Sequence, residues 1–205
     1  GFLQVGVFDE DNPDENNSLY RFLNKIHFNT KEYVVAPQLL FEAGQALEPN
    51  VILETERILR TRDYFSMAFV VPYVVCEGQV DLVVVTRDSW SLEIDASFSR
   101  SGGDSSTGFG ISDDNIFGTG NGFSVGYEQD AERRGMSYTF RTDHVLNSRV
   151  STRLSYADKS DGENVIAELA LPFYSRSSRW AGGIAHRDIG EDEIIRVKGD
   201  EVNRF

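Results

Sequence analysis

Residues with reactive side chains are plentiful in this chain, but none of their spacings assembles a reaction. Gly118-Thr119-Gly120-Asn121-Gly122 has the glycine density of a phosphate cradle. It has no following Lys-Ser/Thr and opens no helix, so it reads as a hairpin turn. His27, His144 and His186 fall in separate segments without the spacing that brings imidazoles onto one zinc ion. The acidic run from Asp9 to Asn17 has the oxygen density of a calcium loop. It lacks the required Gly and distal Glu, and Pro13 stands where a ligand belongs, so a solvated turn is the simpler reading. There is no Gly-x-Ser-x-Gly elbow, and the 33 Asp and Glu residues scatter over turns and strands without singling out an acid/base pair. Cys76, alone in an apolar run, reads as a buried small hydrophobe. The expectation is a protein that is not an enzyme, with no catalytic residue, metal or cofactor.

Composition narrows the partners. A formal net charge of -13 argues against nucleic acid, which needs a basic patch. No apolar run approaches the ~20 residues of a membrane helix, a test that β-barrel strands escape because they alternate. The single cysteine says little about redox compartment. The chain begins without Met and stops at Asn203-Arg204-Phe205 inside patterned sequence, as a segment of a longer protein would.

The elements of the first ninety residues read as α+β. Phe2 to Phe8 is a short strand. Leu19, Phe22, Leu23 and Ile26 form one helical stripe behind an Asn17 or Ser18 cap, and Lys25 to Phe28 could instead be a strand. A second helix is expected from about Thr30 to Ala43, ending at Gly44 and shifted or kinked by Pro37. A third runs from about Asn50 to Arg62, with Pro49 near its first turn. Strands Met67 to Val75 and Val80 to Arg87 join through Glu77-Gly78-Gln79. The second is apolar on both faces, as a central strand is, while Pro72 marks the first as an edge.

After Trp90 the period becomes two and stays there. Leu92, Ile94, Ala96 and Phe98 oppose Glu93, Asp95, Ser97 and Ser99. Phe123, Val125 and Tyr127 oppose Ser124, Gly126 and Glu128, and similar runs follow to Ile184, about seven strands in all. Long polar connections are expected at 129–135 and 158–163, with tight turns near 118–122 and 175–179. Tyr127, Tyr138, Tyr156, Phe173, Tyr174 and Trp180 would supply aromatic girdles. Alternation alone fits an outer-membrane barrel and a soluble β-sandwich equally well.

Two groups of residues carry a resemblance. Gly44 to Leu47, Glu54-Thr-Glu-Arg-Ile-Leu-Arg-Thr-Arg-Asp-Tyr-Phe65 and Gln79-Val-Asp-Leu-Val-Val-Val-Thr-Arg-Asp88 resemble a polypeptide-transport-associated (POTRA) domain. The helical insert near 17–27 departs from the shortest form of that domain. Asp114-Asn-Ile-Phe-Gly-Thr-Gly-Asn-Gly122 is similar to the first periplasmic turn of the barrel in the POTRA-plus-barrel superfamily, which includes the bacterial surface antigen proteins. Residues 90–103 then correspond to its first barrel strand, and Leu171-Pro-Phe-Tyr-Ser175 resembles a strand end of these barrels. Members close with about sixteen strands, so this sequence would hold an incomplete barrel.

The resemblance implies an α+β POTRA domain at 1–90, in the periplasm, and the first antiparallel transmembrane strands of an outer-membrane β-barrel at 91–205. It implies assembly, insertion or translocation of polypeptides, the partners being outer-membrane lipid and unfolded outer-membrane or secreted polypeptide. An extended client would add to a sheet edge by β-augmentation. The edge in the first domain is Met67, Ala68, Phe69, Val70 and Val71. The first-strand edge is Leu92, Ile94, Ala96 and Phe98, and the periplasmic turn is Asn115, Gly118 and Gly120. A surface antigen that moves no polypeptide, and a soluble adhesin-like β-sandwich, are the alternatives.

Overall fold

The computed structural model describes residues 1–76, 78–192, 194–197 and 200–204. Up to Asp88 the chain builds a three-stranded sheet and its helices. Strand β1 (Phe2–Val5) runs parallel to β3 (Gln79–Asp88), which pairs antiparallel with β2 (Phe65–Cys76), giving the order β1-β3-β2. The strand that is apolar on both faces is therefore central, and the one carrying Pro72 is an edge with a register shift between Pro72 and Val74. Glu77, assigned above to the connecting turn, lies outside the described residues.

Helix α1 (Ser18–Ile26) is capped by Asn17, whose side-chain oxygen accepts from the Tyr20 N–H, and the chain is extended at His27. The second helix is shorter than its sequence pattern predicts. It spans only α2 (Glu32–Val35) and a 3₁₀ turn at Ala36–Gln38 before Leu39 goes extended. Pro37 has no N–H for the next helical bond and its ring crowds the preceding turn, so the helix tightens and ends. Gly44 (φ 85°) consequently serves a later turn rather than a helix end. Helix α3 (Pro49–Arg60) opens on its proline and buries Thr55, Ile58 and Leu59, with Leu59 in the core against the sheet. The core joins Val34, Val35, Leu59, Tyr64, Phe65, Ala68, Val70 and Val84. Cys76 lies at the far end of β2 and is exposed, which corrects the expectation of a buried thiol.

From Leu92 onward seven strands form one antiparallel meander in chain order: β4 (Leu92–Ser101), β5 (Asp104–Asp113), β6 (Asn121–Gln129), β7 (Arg134–Thr142), β8 (Ser151–Lys159), β9 (Gly162–Leu171) and β10 (Gly182–Ile189). A separate hairpin pairs β11 (Ile194–Val197) with β12 (Asp200–Arg204). The meander is open, since β4 and β10 each have one described neighbour. Among the described residues no hydrophobic side chain beyond Val84 is buried.

Register shows why. Ile94, Ile111, Val125, Tyr138, Tyr156 and Val165 stand in one cross-strand row on a single face, ending at Asp188. One step nearer the Gly102-Gly103 end, the row Ala96, Phe109, Tyr127, Met136 becomes polar at Asp158 and Glu163. Two steps nearer the opposite end, Asn121, Thr142 and Thr152 are polar and become apolar at Leu169 and Ile184. The apolar band thus slides along the strands from β4 to β10. The other face carries small and charged groups, including Gly110 opposite Gly126, an Arg141–Asp114 pair and an Arg187–Glu168 pair.

The connection lengths reverse the sequence reading. Strands β8 and β9 are joined by Ser160-Asp161 alone, and β6 and β7 by 130–133, where Asp130 Oδ1 accepts from the N–H groups of Glu132 and Arg133. The strands run on through their polar ends and turn tightly. The longer turns, 114–120, 143–150 and 172–181, lie at the end facing the α+β domain, where they are used for docking.

Candidate functional site

Three places carry the residues singled out from the sequence, and the fold does not merge them into one site. The first is the outer edge of β2. Met67, Phe69 and Val71 are exposed while Ala68 and Val70 are buried. The edge is partly occupied by α3. The Val70 N–H donates to Glu56 Oε1 at 2.9 Å, and Arg60 Nη1 donates to the Ala68 carbonyl at 3.0 Å. Glu56 and Arg60, one helical turn apart, also pair with each other at 3.4 Å. This clasp takes two of the backbone groups an added strand would use. Pro72 removes a third.

The second place is the outer edge of β4. A two-residue turn at Gly102 (φ 64°) and Gly103 (φ 100°) closes the β4–β5 hairpin on the Ser101–Asp104 pair. That turn makes Ser101 a hydrogen-bonded partner, so the N–H and C=O of Leu92, Ile94, Ala96 and Phe98 point away from β5. The Trp90 indole N–H donates to the Leu92 carbonyl at 2.7 Å, and among the described residues no strand pairs with this edge from Ile94 upward. Every residue of β4 is exposed.

The third place, around Asn115, Gly118 and Gly120, is a buried seam between the two units. Asp88, only 1% exposed, accepts at Oδ2 from the Thr30 N–H (2.7 Å) and hydroxyl (2.9 Å), and faces His27 Nε2 at 3.0 Å. The Thr30 hydroxyl accepts from Asn115 Nδ2 at 2.8 Å, and Asn115 Oδ1 accepts from the Gly120 N–H at 2.7 Å. The Lys31 N–H donates to the Gly118 carbonyl at 2.8 Å. Glycine is required at 118 and 120. Both have positive φ, a Cβ on Gly118 would intrude on the Asn29 carbonyl, and one on Gly120 would lie 2.6 Å from Val34 Cγ1.

The next two turns dock on the same domain. The 143–150 turn repeats the first turn's backbone, with Leu146 at φ 52° as Phe117 is. Arg62 pairs with Asp143 at 2.6 Å, and Arg149 donates to the Leu39 carbonyl and the Tyr174 hydroxyl while stacking on that ring at 4.3 Å. Tyr174 therefore belongs to the seam rather than to a girdle, whereas Phe173 and Trp180 are exposed at this rim. Burial holds the neighbouring His144 below the usual histidine range. In the third turn the Arg176 N–H donates to Glu54 Oε1 at 2.9 Å, and Arg57 grips both Glu54 oxygens. The Arg57 guanidinium, then the Arg176 N–H, bring the Glu54 carboxyl down to about 2.

Sequence reasoning found both edges and the turn but missed the groups that modify them. Glu56 and Arg60 are visible as an i, i+4 pair, yet nothing in their spacing says that they reach β2. The acidic run resolves into turn chemistry: Asp9 and Asn12 side chains accept from N–H groups two residues on, and Glu15 accepts from the Asp9 N–H and pairs with Arg87. What the three places offer is backbone hydrogen bonding along strand edges and a hydrogen-bonded attachment between the units.

No family model and no curated protein matches the sequence. A solved structure described as BamA from Haemophilus ducreyi lacking POTRA domains 1-3 superposes with a TM-score of 0.53 at 15% identity. The match covers 69% of this chain and 30% of that chain. At that identity the likeness is one of fold, an antiparallel β architecture shared with BamA.

Proposed function

We propose that the meander is the first part of an outer-membrane β-barrel and that the α+β domain is a periplasmic POTRA domain attached beneath it. The observation that carries this reading is the uncovered apolar band. Soluble monomers rarely expose contiguous apolar patches beyond about 300–600 Å². Here the apolar face of a seven-stranded sheet is uncovered, and its band drifts as tilted strands in a bilayer require. The small residues of the polar face suit the concave, water-filled side. A β-sandwich would need a second apolar layer, and the described residues supply none. The resemblance to the POTRA-plus-barrel superfamily and the fold shared with BamA support the same reading.

The function that follows is assembly, insertion or translocation of polypeptide by strand addition. The β4 edge at Ile94 to Phe98 is the better template, because its backbone groups are open and a bilayer offers them no water. The β2 edge at Met67 to Val71 is the second site, and its occupation by Glu56 and Arg60 favours the competing reading of an anchor that moves no polypeptide. Outer-membrane fractionation of the full-length protein, with unheated and boiled gel mobility compared, tests the barrel. A soluble protein without a heat-dependent shift would sink it. A photocrosslinker at Ile94 or Phe69 tests the client. Adducts with nascent polypeptide support transport, and their absence at both positions supports the anchor.

A further inference from the structure

Helix α1 contributes no buried residue to the fold. It is held from one side, where Asn24 exchanges hydrogen bonds with the Phe8 N–H (2.9 Å) and C=O (2.8 Å) and Tyr20 stacks on Phe8 at 4.3 Å. Its apolar stripe points elsewhere: Leu19, Phe22 and Ile26 are 59%, 58% and 45% exposed. Lys25 and then Arg21 follow that stripe on one side, beyond Phe22, and are exposed as well. Apolar and basic faces side by side on one short helix are the makings of a surface-lying membrane helix.

Position in the fold names the occupant. Ile26, Phe28, Trp90, Leu92, Asp113 and Phe117 line one cleft, and Phe28 meets Phe117 edge-on at 5.4 Å. Leu92 and Asp113 are a cross-strand pair on the face of the sheet that bears the apolar band. The stripe of α1 is thus continuous, through Phe28 and Phe117, with the apolar outside of the meander and not with its polar face. The start of the acidic run lies against the other side of the helix, where Glu10 Oε1 accepts from Asn24 Nδ2 at 3.2 Å, and not on the apolar stripe.

We propose that α1 lies on the membrane surface beside the barrel, with Leu19, Phe22 and Ile26 at the headgroup–acyl boundary and Arg21 and Lys25 at lipid phosphates. The inference rests on the barrel reading. It makes the α+β domain a membrane-contacting unit whose orientation is set by lipid as well as by the buried seam.

The test uses the full-length protein with Cys76→Ser, folded into phosphatidylethanolamine–phosphatidylglycerol vesicles. Single nitroxides are attached through Leu19→Cys, Phe22→Cys, Ile26→Cys, Arg21→Cys or Lys25→Cys, all at exposed positions. Ile94→Cys and Phe109→Cys report on the sheet. Collision with oxygen, which concentrates in lipid, is compared with collision with a water-soluble nickel chelate. The expected result is an oxygen-to-nickel ratio several-fold higher at 19, 22 and 26 than at 21 and 25. Nickel-accessible labels along the whole helix, with oxygen-rich labels at 94 and 109, would overturn the lipid contact and spare the barrel. Labels at 19, 22 and 26 shielded from both reagents would overturn it in favour of a protein partner. Nickel access at 94 and 109 would overturn the barrel reading itself, and this inference with it.

Discussion

If β2 receives an extended client, the Glu56–Arg60 clasp must open first. The client's backbone would compete with Glu56 for the Val70 N–H and with Arg60 for the Ala68 carbonyl. Hydrogen bonds to charged groups contribute about 1.5–3 kcal/mol when shielded, but Arg60 is 42% exposed and its share is smaller. Displacing both therefore costs about 2–4 kcal/mol, so Glu56→Ala with Arg60→Ala should tighten peptide binding about 30- to 800-fold. The substitution also forfeits a helix ion pair of about 0.3–0.5 kcal/mol, too little to unfold the domain. The assay is an anisotropy titration with a labelled peptide of alternating apolar residues, with a photocrosslinker at Phe69 to report where it binds. Unchanged or weaker binding by the double variant with no crosslink at Phe69 would refute the role of this edge. A crosslink that persists without tighter binding would refute the clasp.

The seam makes three further predictions. Gly118→Ala combines a left-handed backbone with a blocked Cβ, and should cost about 2–5 kcal/mol of seam stability, read as increased protease cleavage between residues 88 and 120. Asp88→Ala strands the buried Thr30 donors, at about 1–3 kcal/mol for each group left unsatisfied, and should raise amide exchange at Thr30 and Gly120 together. Glu54 is a carboxyl whose pKa is lowered in the folded state, so its contribution is complete above the ordinary value of 4.5 and is lost as pH falls toward about 2. The protection of the Arg176 amide, taken relative to its intrinsic exchange rate at each pH, should fall across that window, and Glu54→Gln should abolish this pH dependence.

Periodicity carried much of the fold. The apolar alternation from Leu92 onward became seven strands in chain order, because it reports the two-residue period of a strand, and the two-faced apolarity of Val80 to Val85 became the central strand of its sheet. The second helix was misread because a single proline outweighed a favourable pattern around it. Loop length was misread because polar residues such as Arg134 and Lys159 continue strands when the sheet projects beyond its apolar band. The edges were legible, the first from Pro72 and the second from the resemblance that made Leu92 to Phe98 a first strand. Their occupation was not, because the clasp and the Asp88–Thr30–Asn115 chain join residues far apart in sequence, and neither side chain carries a sign of its partner.

The end of the buried core at Val84 divides the making of this molecule in time. Residues 1–88 hold their own apolar interior and can complete it in water, whereas the meander has nothing of its own to bury against. The finished first unit then presents Asp88, Thr30 and the Lys31 N–H before the turn at 114–120 exists to meet them. Water satisfies those groups until the β5–β6 hairpin arrives and replaces it. Docking is therefore conditional on register: a first hairpin in the wrong register brings no Asn115 to Thr30 and no Gly118 carbonyl to the Lys31 N–H.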